Sequence, residues 1–80
     1  MPTIFRRDGF RFYFFSNEGD PREPAHIHVR RGAEEAKIWL EPEVAVAESF
    51  GFNAKALNAL SRIVEDERAF LLRAWHDHFG

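Results

Sequence analysis

The stretch PAHIHVRRGAEEAKIWL, residues 24–40, decides the fold because it has the pattern of two paired strands. On both sides of residues 32–33, apolar and polar side chains alternate with the period of a half-buried strand. Gly32 and Ala33 themselves suit a two-residue turn. In the resulting register Ile27 lies opposite Ile38. The stretch therefore predicts a hairpin with one apolar face.

The other face of this hairpin is polar and aromatic. The register predicts three cross-strand pairs there: His26 with Trp39, His28 with Lys37, and Arg30 with Glu35. A slip of one residue would turn every side chain to the wrong face, so the agreement of both strands supports this register.

A second hairpin is predicted at the N-terminal end. Asp8-Gly9 separates two aromatic runs, and a type I′ turn needs positive φ at both of its central residues. One face of this hairpin carries Phe5, Phe10, Phe12 and Phe14. The other carries Ile4, Arg6, Arg11, Tyr13 and Phe15, with Ile4 opposite Tyr13. Residues 16–24, rich in Gly, Asn and Pro, are predicted as a loop.

The rest of the chain predicts a short strand and a helix. Residues 43–49 can add a strand, and Asn53 is a good N-cap. Apolar residues then recur at helical spacing as far as Phe79. The acidic run 65–67 marks a kink or a break, and we favour one long helix bent there over two helices. The fold class is therefore α+β: one domain, residues 1–80, with an antiparallel sheet of four to five strands packed against a C-terminal helix.

Composition limits the chemistry of the chain. It has 80 residues, a formal net charge of −2 and no cysteine. Disulfides, thiolate metal sites and cysteine nucleophiles are therefore excluded. We find neither a signal peptide nor a membrane span and expect a cytoplasmic protein. The sequence has no Gly-rich phosphate loop and no nucleophile elbow.

If the helix covers the apolar sheet face, the opposite face is basic, aromatic and histidine-bearing. The candidate binding surface on it comprises His26, His28, Arg30, Lys37, Trp39, Arg11 and Tyr13. Three interpretations remain open. The face is an ordinary solvated sheet surface, a platform for nucleic-acid bases and phosphates, or a protein interface anchored by Trp, Tyr and Arg.

The His-x-His pair raises the question of catalysis. Two imidazoles on one face are fewer than the three protein ligands of a usual catalytic zinc site, although Glu48 or Asp20 could approach through the fold. We predict no metal and no cofactor. Alternatively, His26 and His28 act as acid and base on an RNA 2′-hydroxyl, with Arg30 or Lys37 steadying the phosphate. That would make the protein a metal-independent ribonuclease, and whether it is an enzyme stays open.

Several segments together resemble a known bacterial family, the domain of unknown function numbered 4160. They are PTIFRRDGFRFYFFSNEG, PAHIHVRRG, AKIWLEP, the GF before the helix, and the terminal AWHDHFG. Members more often have Pro-Pro-His where this chain has Pro24-Ala25-His26. The resemblance implies a small cytoplasmic protein whose gene often lies beside that of another small domain, as in toxin–antitoxin-like pairs. It implies no activity.

We therefore predict a small binding module of such a two-gene system, acting through the basic and aromatic sheet face. Its expected partner is a small protein, with RNA as a further candidate and no membrane. An exposed edge strand could also pair with a second copy to give a homodimer.

Overall fold

The computed structural model describes residues 3–15 and 23–79. Its strands are β1 (Thr3–Arg7), β2 (Phe10–Tyr13), β3 (His26–Arg31), β4 (Glu34–Trp39) and β5 (Ala45–Phe50), and its helices are α1 (Ala54–Asp66) and α2 (Arg68–Phe79). The predicted α+β class is confirmed. Of the predicted loop at 16–24, residues 16–22, which include Asp20, lie outside the described residues, as does the chain end at Gly80.

The strands form one antiparallel sheet in chain order, from β1 at one edge to β5 at the other. The register of β3 and β4 is the predicted one, with His26 opposite Trp39 and Ile27 opposite Ile38. Both turns also have the predicted residues. Asp8 and Gly9 have φ of 54° and 82°, as a type I′ turn requires.

Each edge strand carries a β-bulge, and the sequence pattern gave no sign of either one. In β1 the bulge places Thr3, not the predicted Ile4, opposite Tyr13, while Phe5 stays opposite Phe12. Ile4 instead packs against the core. In β5 the pairing moves from Glu48 to Val46 as β4 advances by one residue, which leaves Ala47 as the extra residue.

The C-terminal segment is split into two helices at the predicted acidic run, so of the two alternatives the break is observed and not the favoured single bent helix. Glu67 leaves helical geometry, with φ −103° and ψ 14°, and its carboxylate lies 2.7 Å from the Arg7 guanidinium. The next residue, Arg68, donates from Nε to the Leu40 carbonyl oxygen at 2.7 Å and from Nη2 to that of Pro42 at 3.3 Å. These contacts tie the junction of the two helices to β1 and to the connection between β4 and β5.

The start of α1 is fixed by two local features. Asn53 is the predicted N-cap, and its Oδ1 accepts a hydrogen bond from the Ala56 amide at 2.8 Å. Gly51 has φ of +88°, and a Cβ there would lie 3.1 Å from Cγ of Glu34. The chain therefore needs glycine where it leaves β5 for the helix.

The core lies on one side of the sheet. Phe10, Phe12 and Phe14 are buried on the predicted apolar face, and apolar residues of both helices cover it. The buried helical residues are Ala56, Leu60, Ile63, Val64, Leu71 and Trp75. The stack of Phe5 on Phe12, with ring centroids 4.5 Å apart, extends the core to the edge strand β1.

Candidate binding surface

The opposite sheet face, here called the histidine face, consists of three rows of side chains that run across the strands. The first row is Arg6, Arg11, Arg30, Glu35 and Phe50, the second is Tyr13, His28, Lys37 and Glu48, and the third is His26, Trp39 and Ala45. By register, this face carries all seven residues that the sequence analysis assigns to the binding surface. Their exposure differs greatly.

His26 is fully buried, which corrects the expectation that both imidazoles face solvent. Its ring centroid lies 4.9 Å from that of Trp75, 5.5 Å from that of Trp39 and 5.2 Å from that of His28. Its Nδ1 lies 2.9 Å from the Pro24 carbonyl oxygen. Because His26 is the first residue of β3, its ring lies at the end of the sheet, where Trp75 of α2 covers it. The ring is a packed side chain out of contact with solvent.

His28 belongs to an aromatic cluster with Tyr13 and Phe15. The ring of Tyr13 stacks on that of His28 with centroids 5.6 Å apart, and Phe15 meets His28 edge-on at 4.4 Å. The Arg11 guanidinium lies over the Tyr13 ring, 4.8 Å from its centroid. Tyr13 is only 3% exposed. The tyrosine ring is thus enclosed, although the sequence pattern placed it on an open surface.

Burial raises the pKa of the Tyr13 hydroxyl above 10.0, and Glu35 adds to the rise. The positive charges of Arg30 and Arg11, together with a hydrogen bond from Arg11, act in the opposite direction. Desolvation outweighs them, so the phenol stays protonated at neutral pH.

Two of the predicted cations are paired with carboxylates. Lys37 Nζ lies 2.9 Å from Glu23 Oε1 and 4.6 Å from the ring centroid of Trp39. The hydrogen bond from Lys37 and its charge lower the pKa of the Glu23 carboxyl. Arg30 lies 3.5 Å from Glu35. The face is therefore a mixture of both charges, whereas the sequence analysis emphasised its cations.

A groove of about 210 Å³ lies on this face beside the edge strand β5. Its lining is Tyr13, Phe15, His28, Glu35, Ala36, Lys37, Glu48, Ser49 and Phe50. Phe50 at its border is 71% exposed and Phe15 is 37% exposed. The groove thus combines aromatic walls with carboxylates and one lysine.

Phe50 and the contribution of β5 to this face were not predicted from the sequence. Alternation counted from Val46, which lies on the core face opposite Ile38, would place Phe50 on the core face as well. The bulge at Ala47 reverses the alternation, so that Glu48 lies opposite Lys37 on the histidine face and Phe50 lies opposite Glu35. A bulge leaves no mark in the pattern of residue types here.

Within residues 3–15 and 23–79, no three His, Cys, Asp or Glu side chains are grouped as metal ligands. Glu48 faces Lys37 across the strands instead of joining the histidines. In the same part of the chain, no helix is long and apolar enough to cross a membrane.

The fold and the site thus define a small α+β domain with an open, aromatic sheet face of mixed charge. The chain belongs to the family described as Domain of unknown function (DUF4160), whose model matches residues 9–76. No curated protein and no solved structure matches it.

Proposed function

We propose that this protein is a small binding module that docks a partner protein on its histidine face. The observation that carries the proposal is the groove bordered by Phe50, a large aromatic side chain that is 71% exposed on the sheet face opposite the helices. Exposed aromatic residues beside a pocket are typical anchors of protein interfaces.

A protein partner fits this face better than RNA, because the rings of Tyr13 and Trp39 are already covered by other side chains and the exposed ring of Phe50 lies beside carboxylates. Tyr13 lies under Arg11 and against His28, and Lys37 lies over Trp39. A base needs a free ring face on which to stack. Because of these contacts, Tyr13 has no free ring face for a base.

The charges of the face favour the same conclusion. Glu35 and Glu48 line the groove, and Glu23 lies against Lys37. These carboxylates would repel a phosphate backbone. The free energy that nucleic-acid binding gains from counterion release comes from contacts between phosphates and cations only. A protein can offer both charges to a mixed surface.

The ribonuclease alternative receives no support from the geometry. It needs two imidazoles that reach the same substrate, and His26 is fully buried with Nδ1 at the Pro24 carbonyl oxygen. General acid–base catalysis requires both groups within hydrogen-bonding reach of the reacting atoms.

In this proposal the partner is the product of a neighbouring gene, and the pair works in the bacterial cytoplasm as a toxin–antitoxin-like system. What supports this is the resemblance of the chain to a family in which such gene pairs are common. A domain whose working surface is one sheet face suits a complex with a second small protein.

The test is co-purification of the tagged protein with the product of the adjacent gene, after nuclease treatment. We expect a complex with the wild type that Phe50→Ala weakens without unfolding the domain. Phe70→Ala is the matched control, because Phe70 is 49% exposed but lies on α2. A complex that nuclease destroys, or one that both variants retain equally, would contradict the proposal.

A further inference from the structure

Three arginines stand directly opposite one another across β1, β2 and β3. Arg6 is paired with Arg11, and Arg11 is paired with Arg30. Side chains that are directly opposite in an antiparallel sheet have Cβ atoms about 4.5–5.5 Å apart, and like charges at these positions are destabilising. The sheet therefore maintains an unfavourable arrangement of positive charge, here called the arginine row.

Two members of the arginine row, Arg6 and Arg11, lack the carboxylates that other arginines of this protein have. Arg7 lies 2.7 Å from Glu67, and Arg31 lies 3.1 Å from Glu34. In contrast, neither Arg6 nor Arg11 has an ion pair within residues 3–15 and 23–79. The buried Nε of Arg11 has no hydrogen-bond partner there, and such a group costs free energy unless it is satisfied.

Arg11 is nevertheless held in place. Its guanidinium lies over the Tyr13 ring, 4.8 Å from the ring centroid. A fixed, planar guanidinium with unused donors binds a carboxylate with little loss of side-chain entropy. At the end of the row, Arg30 has one weak partner, Glu35 at 3.5 Å, and both side chains are about half exposed.

We propose that the arginine row is a carboxylate-binding site that receives an acidic segment of the partner protein. This inference rests on the proposed function and names the chemistry of the partner. The row spans about 10 Å across three strands, and two carboxylates at alternate positions of an extended segment lie about 7 Å apart. Neighbouring members of the row lie about 5 Å apart, and the length of the arginine and acidic side chains covers the difference of about 2 Å, so two acidic residues separated by one residue can reach neighbouring arginines.

The surroundings of the row indicate an acidic protein segment instead of a nucleic acid. The row continues into Glu35 and Phe50, beside the groove that Glu48 lines. Glu48 has no ion pair within the described residues. A peptide can place carboxylates on the arginines and apolar or basic side chains in the groove, whereas every nucleotide of a strand carries a phosphate.

The first experiment measures binding of a hexaglutamate peptide by calorimetry, with hexalysine and poly(U) RNA as comparison ligands. We expect the double variant Arg11→Gln/Arg30→Gln to bind hexaglutamate at least about tenfold more weakly than the wild type. The control Arg62→Gln/Arg73→Gln removes the same charge from exposed positions of α1 and α2 and should bind as the wild type does.

Three results would overturn the proposal: no binding of hexaglutamate, an equal loss in the control variant, or tighter binding of poly(U) than of the peptide. Thermal unfolding provides a second measurement, because removal of a like-charge neighbour should leave the melting temperature of Arg11→Gln unchanged or higher. A marked fall in this melting temperature would show that Arg11 stabilises the fold. The binding test would then be repeated with the single variant Arg30→Gln. If the partner complex is lost in Phe50→Ala but intact in Arg11→Gln/Arg30→Gln, the proposed function stands and this inference fails.

Discussion

At the scale of single residues, the two histidines of β3 differ although they share a sheet face. Alternation predicted the shared face correctly, because it depends only on the local backbone. The burial of His26 could not be predicted in this way, since it depends on Trp75, which is far along the chain in α2. The candidate site therefore changes from a pair of histidines to a surface around His28.

This difference predicts unequal effects on stability. We expect His26→Ala to lower the free energy of unfolding by about 3 kcal/mol, because it leaves a cavity beside Trp75 and removes the contact with the Pro24 carbonyl. His28→Ala should cost about 1 kcal/mol through lost contacts with Tyr13 and Phe15. Urea unfolding curves measure both values. Equal losses would mean that the two rings are equally embedded.

The pKa of Tyr13 gives a second prediction at this scale. Because burial raises the folded-state pKa, the folded protein favours the neutral phenol, and the resulting stability is fully present below the unfolded pKa of about 10. It is lost as the pH rises through the folded pKa. Tyr13 is the one tyrosine of the chain, so tyrosinate absorbance reports it alone.

The expected midpoint of this titration lies above that of the urea-unfolded chain. Arg11→Gln should raise it further, because Arg11 lowers the pKa through its charge and its hydrogen bond. Arg62→Gln on α1 serves as the control and should leave it in place. A folded midpoint at or below the unfolded one would show that the arginines outweigh burial.

At the scale of elements, turns and strand pairing could be predicted because their signals are local. Asp8-Gly9 and Gly32 locate the turns of two hairpins. The alternation of apolar and polar residues predicts the register between β3 and β4. The bulges could not be predicted, since each one is visible only in the pairing of the edge strand with its neighbour, and the bulge in β5 moves Phe50 to the histidine face. The break between the helices depends on contacts from Arg7 and Arg68 to distant parts of the chain.

The N-cap of α1 offers a prediction with a matched control. Asn53→Ala removes the acceptor of the Ala56 amide and should lower the free energy of unfolding by about 1 kcal/mol. Asn58→Ala makes the same change at an exposed position inside α1. It should leave the free energy of unfolding unchanged or raise it by at most ~0.5 kcal/mol, because Ala is the better helix former. Chemical denaturation measures both. If the two variants were equally stable, the cap would not contribute.

At the scale of the whole molecule, the helices cover one face of the sheet, and the other face carries the aromatic and charged side chains of the histidine face. Both edges of the sheet are irregular. The extra residues of β1 and β5 interrupt the ladder where a second copy would have to pair, and bulges at edges are a known protection against such pairing.

We therefore expect the isolated protein to be a monomer of 9.3 kDa, although the sequence alone also suggested a homodimer through an edge strand. Sedimentation equilibrium over a range of concentrations measures the mass directly. A dimer would contradict this expectation, and Val46→Lys would then locate its interface, because Val46 is 41% exposed on β5 and a lysine there discourages strand pairing. A dimer that persists in Val46→Lys would have to form through another surface. If Phe50→Ala then abolished that dimer, the histidine face would be the surface that binds a second copy of the same chain.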